Sequence, residues 1–179
     1  MNNRLRDFTQ IAIFPALMGA TASISIPLFD LPPITLQTMF VFLAALVLGP
    51  KKAGISMAIY VILGVIGLPI FSGHTSGVGI ILGKSGGFLI GFIISAFAIG
   101  FMKNVNFINK GILTNSFILF IGNLIIYVCG ATYIAFLING NILLILASFA
   151  PYLIGDILKI YASLLIYKRV SAVLIYEYA

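Results

Sequence analysis

The sequence predicts an all-α integral membrane protein: six transmembrane helices in a single domain spanning residues 1–179. Three observations carry that prediction. Hydrophobic residues make up 61% of the chain and charged residues only 8%, against about a quarter charged in soluble domains. The apolar residues fall in long continuous runs, not in the roughly ten-residue alternating segments of a membrane β-barrel. The basic residues gather between those runs, where helices would end. That placement explains the formal net charge of +6 through membrane topology and excludes nucleic acid as a partner. The single cysteine, Cys129, lies in an apolar run, which excludes an intrachain disulfide and gives no metal or redox signature.

A span needs about 20 apolar residues. The first is expected at about 8–27. Arg4 and Arg6 precede it as they would a signal peptide. Further spans follow, so it reads as a first transmembrane helix. Pro15 should kink it or be accommodated by a neighbour. Ala16 and Ala20, with Gly19 beside them, form a small-residue face that permits close approach of another helix. A short loop, Leu28 to Pro33, contains Asp30 and the rigid pair Pro32–Pro33.

The second span is expected at about 34–48, with Gln37 and Thr38 as its strong polar groups. Gly49–Pro50 ends it, and Lys51–Lys52 follow. The third, about 54–68, contains Tyr60. Next comes a glycine-dense segment, 71–87, carrying His74 and Lys84. Gly83–Lys84–Ser85 matches the tail of a phosphate-binding loop. Gly79 stands one residue too near to complete it, and no strand precedes it, so nucleotide binding is excluded. His74 lacks further ligands at metal-binding spacing, so no metal site is expected.

The fourth span is expected at about 87–102, with Gly87 and Gly91 spaced for close helix packing. The fifth is expected at about 112–138, with a bend near Gly130 and with Asn123 and Tyr127 on one face. Asn139–Gly140–Asn141 forms a turn. The run 142–149 is too short to span and reads as interfacial or re-entrant. Pro151 suits the first turn of the sixth helix, expected over about 151–167.

Arg4, Arg6, Lys51, Lys52, Lys103, Lys110, Lys168 and Arg169 then share one face of the membrane, and only Lys84 falls on the other. By the positive-inside rule both termini are cytoplasmic. The glycine-dense loop and the start of the last helix lie outside. That helix carries Asp156 and Lys159, three residues apart and on one face, with Tyr152 and Ser163 on the same stripe. A charged side chain at mid-bilayer costs about 2.5–3.5 kcal/mol on insertion scales, so such residues usually face a cavity or a partner. Two readings follow: the stripe lines a polar pocket within the membrane, or the pair locks helix to helix. Gln37 enters from the same outer side. No nucleophile or acid–base constellation supports an intramembrane enzyme, since nothing activates Asp156 or His74, and no catalytic residue is assigned.

Five segments in order carry a family resemblance: PPITLQTMFVFLAALVLGPKK (Pro32 to Lys52), ISMAIYVILGVIGLPIF (Ile55 to Phe71), GVGIILGKSGGFLIGF (Gly77 to Phe92), YVCGATY (Tyr127 to Tyr133) and PYLIGDILKIYAS (Pro151 to Ser163). Together they resemble the BioY family, the biotin-specific substrate-capture (S) subunits of energy-coupling-factor (ECF) transporters. The resemblance implies the six-helix S-component fold in a prokaryotic cell membrane. It implies biotin as the transported ligand with no cofactor, and as partners a transmembrane coupling (T) subunit and two cytoplasmic ATPase subunits. It places Ala16 and Ala20 at the coupling subunit and Asp156 and Lys159 at biotin. Lys84 is a second candidate for the biotin carboxylate. Phe71, Tyr127 and Tyr152 are candidates to pack its rings, and Gln37 and His74 complete the set. The chain departs from the family pattern at Lys84, Ser85, Phe88 and Tyr133. Capture of another vitamin, and biotin uptake by this subunit alone, are the alternatives within transport.

Overall fold

The computed structural model describes residues 3–28, 31–105 and 111–178; Asp30 and Lys110 lie outside the described residues. The first helix, α1, runs Asn3–Ala20 and stops short of the expected boundary. Thr21 ends it, its hydroxyl donating back to the Leu17 carbonyl at 2.8 Å. The chain then becomes extended. Ser25–Leu28 (β1) pairs antiparallel with Leu31–Thr35 (β2), with Ser25 opposite Thr35 and Ile26 opposite Ile34. The tail of the expected first span and the loop after it are therefore one β-hairpin, which corrects a purely helical reading. The residues account for it. Pro27, Pro32 and Pro33 cannot donate backbone hydrogen bonds, which a helix interior requires, whereas each strand of a two-stranded ribbon has a free edge.

Helix α2 is recorded as one element, Gln37–Val65, broken at Gly49 (φ 74°, ψ −178°), a conformation that only glycine adopts readily. The break is a reversal. Gln37 and Tyr60 would be about 35 Å apart along a straight helix, yet Gln37 Nε2 donates to the Tyr60 hydroxyl at 2.6 Å. The limbs 37–48 and 50–65 therefore pack antiparallel. The two limbs cover the ranges expected for the second and third spans.

The glycine-dense segment contains a 3-10 turn, Ser72–His74, and a short helix α3, Val78–Leu82. Helix α4 covers Gly86–Asn104 and α5 covers Ile112–Ile138, close to expectation. Gly91 allows α4 to cross α5 closely: a Cβ there would lie 3.0 Å from the Ile126 Cα. The short run after the turn is helix α6, Ile142–Ser148. The last helix, α7, runs Tyr152–Tyr178, well beyond the expected end. Among the described residues, α2, α4 and α5 are each long and apolar enough to cross a membrane. Helices α6 and α7, bent by 65°, together qualify as a fourth candidate.

Two prolines free a carbonyl inside a helix, and each carbonyl is met from another helix. Pro15 has no N–H for the Ile11 carbonyl, which accepts instead from Ser56 Oγ at 2.7 Å. Pro50 likewise has none for the Leu46 carbonyl, which accepts from Lys103 Nζ. Lys103 also lies over the Tyr167 ring, 4.6 Å from its centroid, and Lys52 pairs with Asp7 at 2.5 Å. These contacts gather the start of α1, the bend of α2, the end of α4 and the Tyr167 turn of α7 at one end of the bundle. The main core, including Met18, Phe42, Met57, Tyr60, Ile99, Leu119 and Ile126, fills the space beyond it.

Candidate functional site

At the other end of the bundle lies a cavity of about 310 Å³, within the range of small-molecule sites, roughly 300–1,000 Å³. Strand β2 supplies Pro32, Pro33, Ile34 and Thr35, and the start of α2 supplies Gln37 and Thr38. The loop after α2 adds Phe71, Ser72 and Thr75. Ile80 comes from α3. Ser85 precedes α4, which supplies Phe88, Leu89 and Phe92. Ile126 and Tyr127 come from α5, and Tyr152, Asp156 and Lys159 from α7. The walls are mostly apolar, with polar groups at a few points.

Those polar groups are organised around Asp156. Asp156 is 3% exposed and Lys159 is 8% exposed. Lys159 Nζ donates to Asp156 Oδ1 at 3.0 Å. Asp156 Oδ2 accepts from Asn123 Nδ2 at 2.9 Å and from the Tyr127 hydroxyl. Asn123 and Tyr127 are one turn apart on α5, so a single helix face presents both donors. A buried ion pair needs further hydrogen bonds to satisfy its remaining capacity, and these two donors supply part of it. One turn beyond Lys159, the Ser163 hydroxyl donates back to the Lys159 carbonyl at 2.7 Å, anchoring the same stripe.

An ionised carboxylate offers about four acceptor positions, and an ammonium three donors. The three donors named above leave the carboxylate about one acceptor position for a ligand, and the ammonium keeps two N–H groups. Around the cavity, the buried atoms Thr38 Oγ1, Ser72 Oγ and Asn123 Oδ1 carry no hydrogen bond. Thr38 and Ser72 belong to cavity-lining residues, and Asn123 is bonded to Asp156. Unsatisfied buried polar groups in a native structure call for a partner, and a polar ligand would supply one here.

An aromatic group closes one side. Tyr127, Phe149 and Tyr152 have ring centroids 5.4–6.4 Å apart, and Phe88 meets Phe149 edge-on at 5.4 Å. Leu31 and Ile34 of the hairpin pack against this group. The Tyr152 hydroxyl donates to the Pro32 carbonyl, tying α7 to the hairpin.

Six of the eight candidate substrate-binding residues line the cavity: Gln37, Phe71, Tyr127, Tyr152, Asp156 and Lys159. Lys84 and His74 stand exposed outside the lining, next to the lining residues Ser85 and Thr75. The His74 ring contacts the Pro69 carbonyl at 3.3 Å. Tyr133 also lies outside the lining, its hydroxyl donating to the Ile81 carbonyl at 2.8 Å at the end of α3. Asn123 was not among the candidates. The signal for it was its place on the Tyr127 face of α5; what no spacing rule supplies is that this face meets α7 at Asp156. Ala16 and Ala20 are exposed on α1, while Phe14 and Met18 are buried. Among the described residues, no group of His, Cys, Asp and Glu is arranged to hold a metal ion.

Comparison with known proteins agrees with this architecture. The BioY family model matches residues 1–175. The chain is 34% identical to a probable biotin transporter BioY of Pyrococcus horikoshii, over 94% of this chain and 98% of that protein. It is 36% identical to the biotin transporter BioY of Thermotoga maritima, over 93% and 96%. The crystal structure of the S-component for biotin from an ECF-type ABC transporter superposes with a TM-score of 0.89 at 29% identity, covering 96% of this chain and 95% of that one. These relatives are transport proteins, not enzymes. A family match across nearly the whole chain, made by a helical bundle that superposes on a solved S-component, establishes that this protein belongs to the BioY family.

Proposed function

We propose that the chain is a membrane subunit that captures biotin from outside the cell for ATP-driven uptake. The buried Asp156–Lys159 pair beside a mostly apolar cavity of ligand size carries this reading. Biotin presents a ureido ring with two N–H donors and a carbonyl, an apolar sulfur ring and a carboxylate tail. The remaining acceptor position of Asp156 suits a ureido N–H, and a charged acceptor makes the stronger bond. The spare Lys159 N–H groups suit the ureido carbonyl or the carboxylate. Phe71, Tyr127 and Tyr152 provide apolar contact for the rings. Lys84 reaches the carboxylate only if its loop folds inward, so the geometry favours Lys159.

In this reading the chain crosses the membrane six times, as α1, the two limbs of α2, α4, α5 and α7. The end of the bundle that holds Lys52 and Lys103 faces the cytoplasm with both termini, and the cavity faces outward. The sequence contains no nucleotide-binding motif, so uphill transport draws on a coupling subunit and two ATPase subunits. The exposed Ala16–Ala20 face of α1 is the docking surface for the coupling subunit.

The test is binding of labelled biotin to the purified chain in detergent, wild type beside Asp156→Asn and Lys159→Ala. Tight binding lost in both variants supports the reading. Absence of binding by a folded wild type removes biotin and directs attention to other vitamins. Binding that survives both substitutions makes the pair a structural bridge.

A further inference from the structure

Two aromatic rings that line the cavity sit in recesses made by glycines. A Cβ on Gly64, in the second limb of α2, would fall 2.1 Å from Phe71 Cζ and 2.3 Å from Phe71 Cε1. A Cβ on Gly130, in α5, would fall 2.5 Å from both Cε2 and Cζ of Phe88. Both distances are far inside van der Waals contact, so neither ring could keep its place if its glycine carried a side chain. Neither glycine needs its conformational freedom: both lie on helical backbone. What each provides is the missing side chain.

Each ring has little choice of where to go when displaced. Phe71 is held on one side by the edge of Tyr60, with centroids 5.5 Å apart, and is 2% exposed. Phe88 is held by the edge of Phe149 at 5.4 Å. The empty space that both rings border is the cavity. We propose that Gly64 and Gly130 are specificity-determining residues: by seating Phe71 and Phe88 in the helix surfaces, they set how large a ring system the cavity accepts. This rests on the reading of the cavity as the biotin site. The two glycines touch no ligand and act only through the rings they seat.

The test uses the full-length chain in detergent and two probes, biotin and desthiobiotin, which keeps the ureido ring but lacks the sulfur. Gly64→Ala and Gly130→Ala are each measured alone and with a ring reduced to make room, as Gly64→Ala/Phe71→Leu and Gly130→Ala/Phe88→Leu. Alanine favours a helix more than glycine does, so the substitutions do not weaken the helices themselves. The single variants are expected to lose biotin affinity about tenfold or more, the range that overpacking a filled site implies. They should lose less affinity for desthiobiotin, and the paired variants should recover biotin binding. Rescue shows that the loss runs through the seated ring, and the difference between the two probes is the readout that a purely structural glycine would not give. Wild-type affinity in the single variants, or equal losses for both probes, overturns the assignment while leaving the biotin reading intact. A folded wild type that binds neither probe removes the biotin reading itself, and the assignment with it.

Discussion

Asp156 and Lys159 form a buried ion pair at 3.0 Å on α7, and two donors from α5, Asn123 and Tyr127, also bond the carboxylate. If the pair binds biotin as proposed, it couples stability to function, and the two can be separated. Lys159→Ala leaves a buried carboxylate without its counter-charge, and removing one partner of such a pair costs about 3–5 kcal/mol. Replacing both, as Asp156→Leu with Lys159→Met, should recover most of the stability, because well-packed apolar substitutes for a buried pair are often neutral. Biotin binding should not return with it. Unfolding midpoints and binding measured on the same preparations check both halves.

The reversal between the limbs of α2 depends on one glycine. Gly49 has room for a Cβ without a clash, the nearest group being Asn104 Nδ2 at an ordinary contact distance of 3.7 Å. The cost of Gly49→Ala is therefore purely conformational, about 1–3 kcal/mol. A thermal melt in detergent should show that loss. Ala58→Gly, half-buried on the helical second limb and without a left-handed requirement, should cost about 1 kcal/mol.

Ser56 substitutes for the donor that Pro15 lacks. Ser56→Ala should leave the Ile11 carbonyl unsatisfied at a cost of about 1–3 kcal/mol. In a Pro15→Ala background the helix regains its own donor to Ile11, and the same Ser56→Ala change should cost clearly less. A double-mutant cycle on stability measures the difference. Additive costs would mean that Ser56 acts elsewhere.

The hairpin covers the cavity and is tied down by the Tyr152 hydroxyl on the Pro32 carbonyl. Tyr152→Phe keeps the ring in the aromatic group and removes the tie, whose net worth is about 0.5–1.5 kcal/mol. Biotin release should quicken by about two- to tenfold. Stopped-flow exchange of labelled biotin would read it directly.

Ala16→Trp places a large side chain on the exposed face of α1, away from the core residues Phe14 and Met18. Binding of biotin to the isolated chain should be unchanged, while uptake in cells carrying the coupling and ATPase subunits should fall to background. Loss of binding as well would mean that the substitution disturbs the fold instead.

Composition and spacing determined much of this protein. Continuous apolar runs dictate helices, because a backbone in lipid must satisfy its own hydrogen bonds. Gly49–Pro50 marks the reversal of α2, because no helix continues through that backbone. Two charges in an apolar run mark the stripe of α7 that lines the cavity, because burying them requires partners. Sequence could not supply what depends on distant segments meeting. The end of the first span became a hairpin because β1 found β2, a pairing that no local propensity encodes. Asn123 became a partner of Asp156, 33 residues away, only when α5 crossed α7. Lys84 and His74 fell outside the cavity because the fold of their loop, not their chemistry, decides where they stand. Gly130 reads in sequence as a bending glycine and Gly64 gives no signal there; only the packed structure shows which ring each one seats. In each case the deciding term is tertiary: burial and hydrogen bonding between groups far apart along the chain.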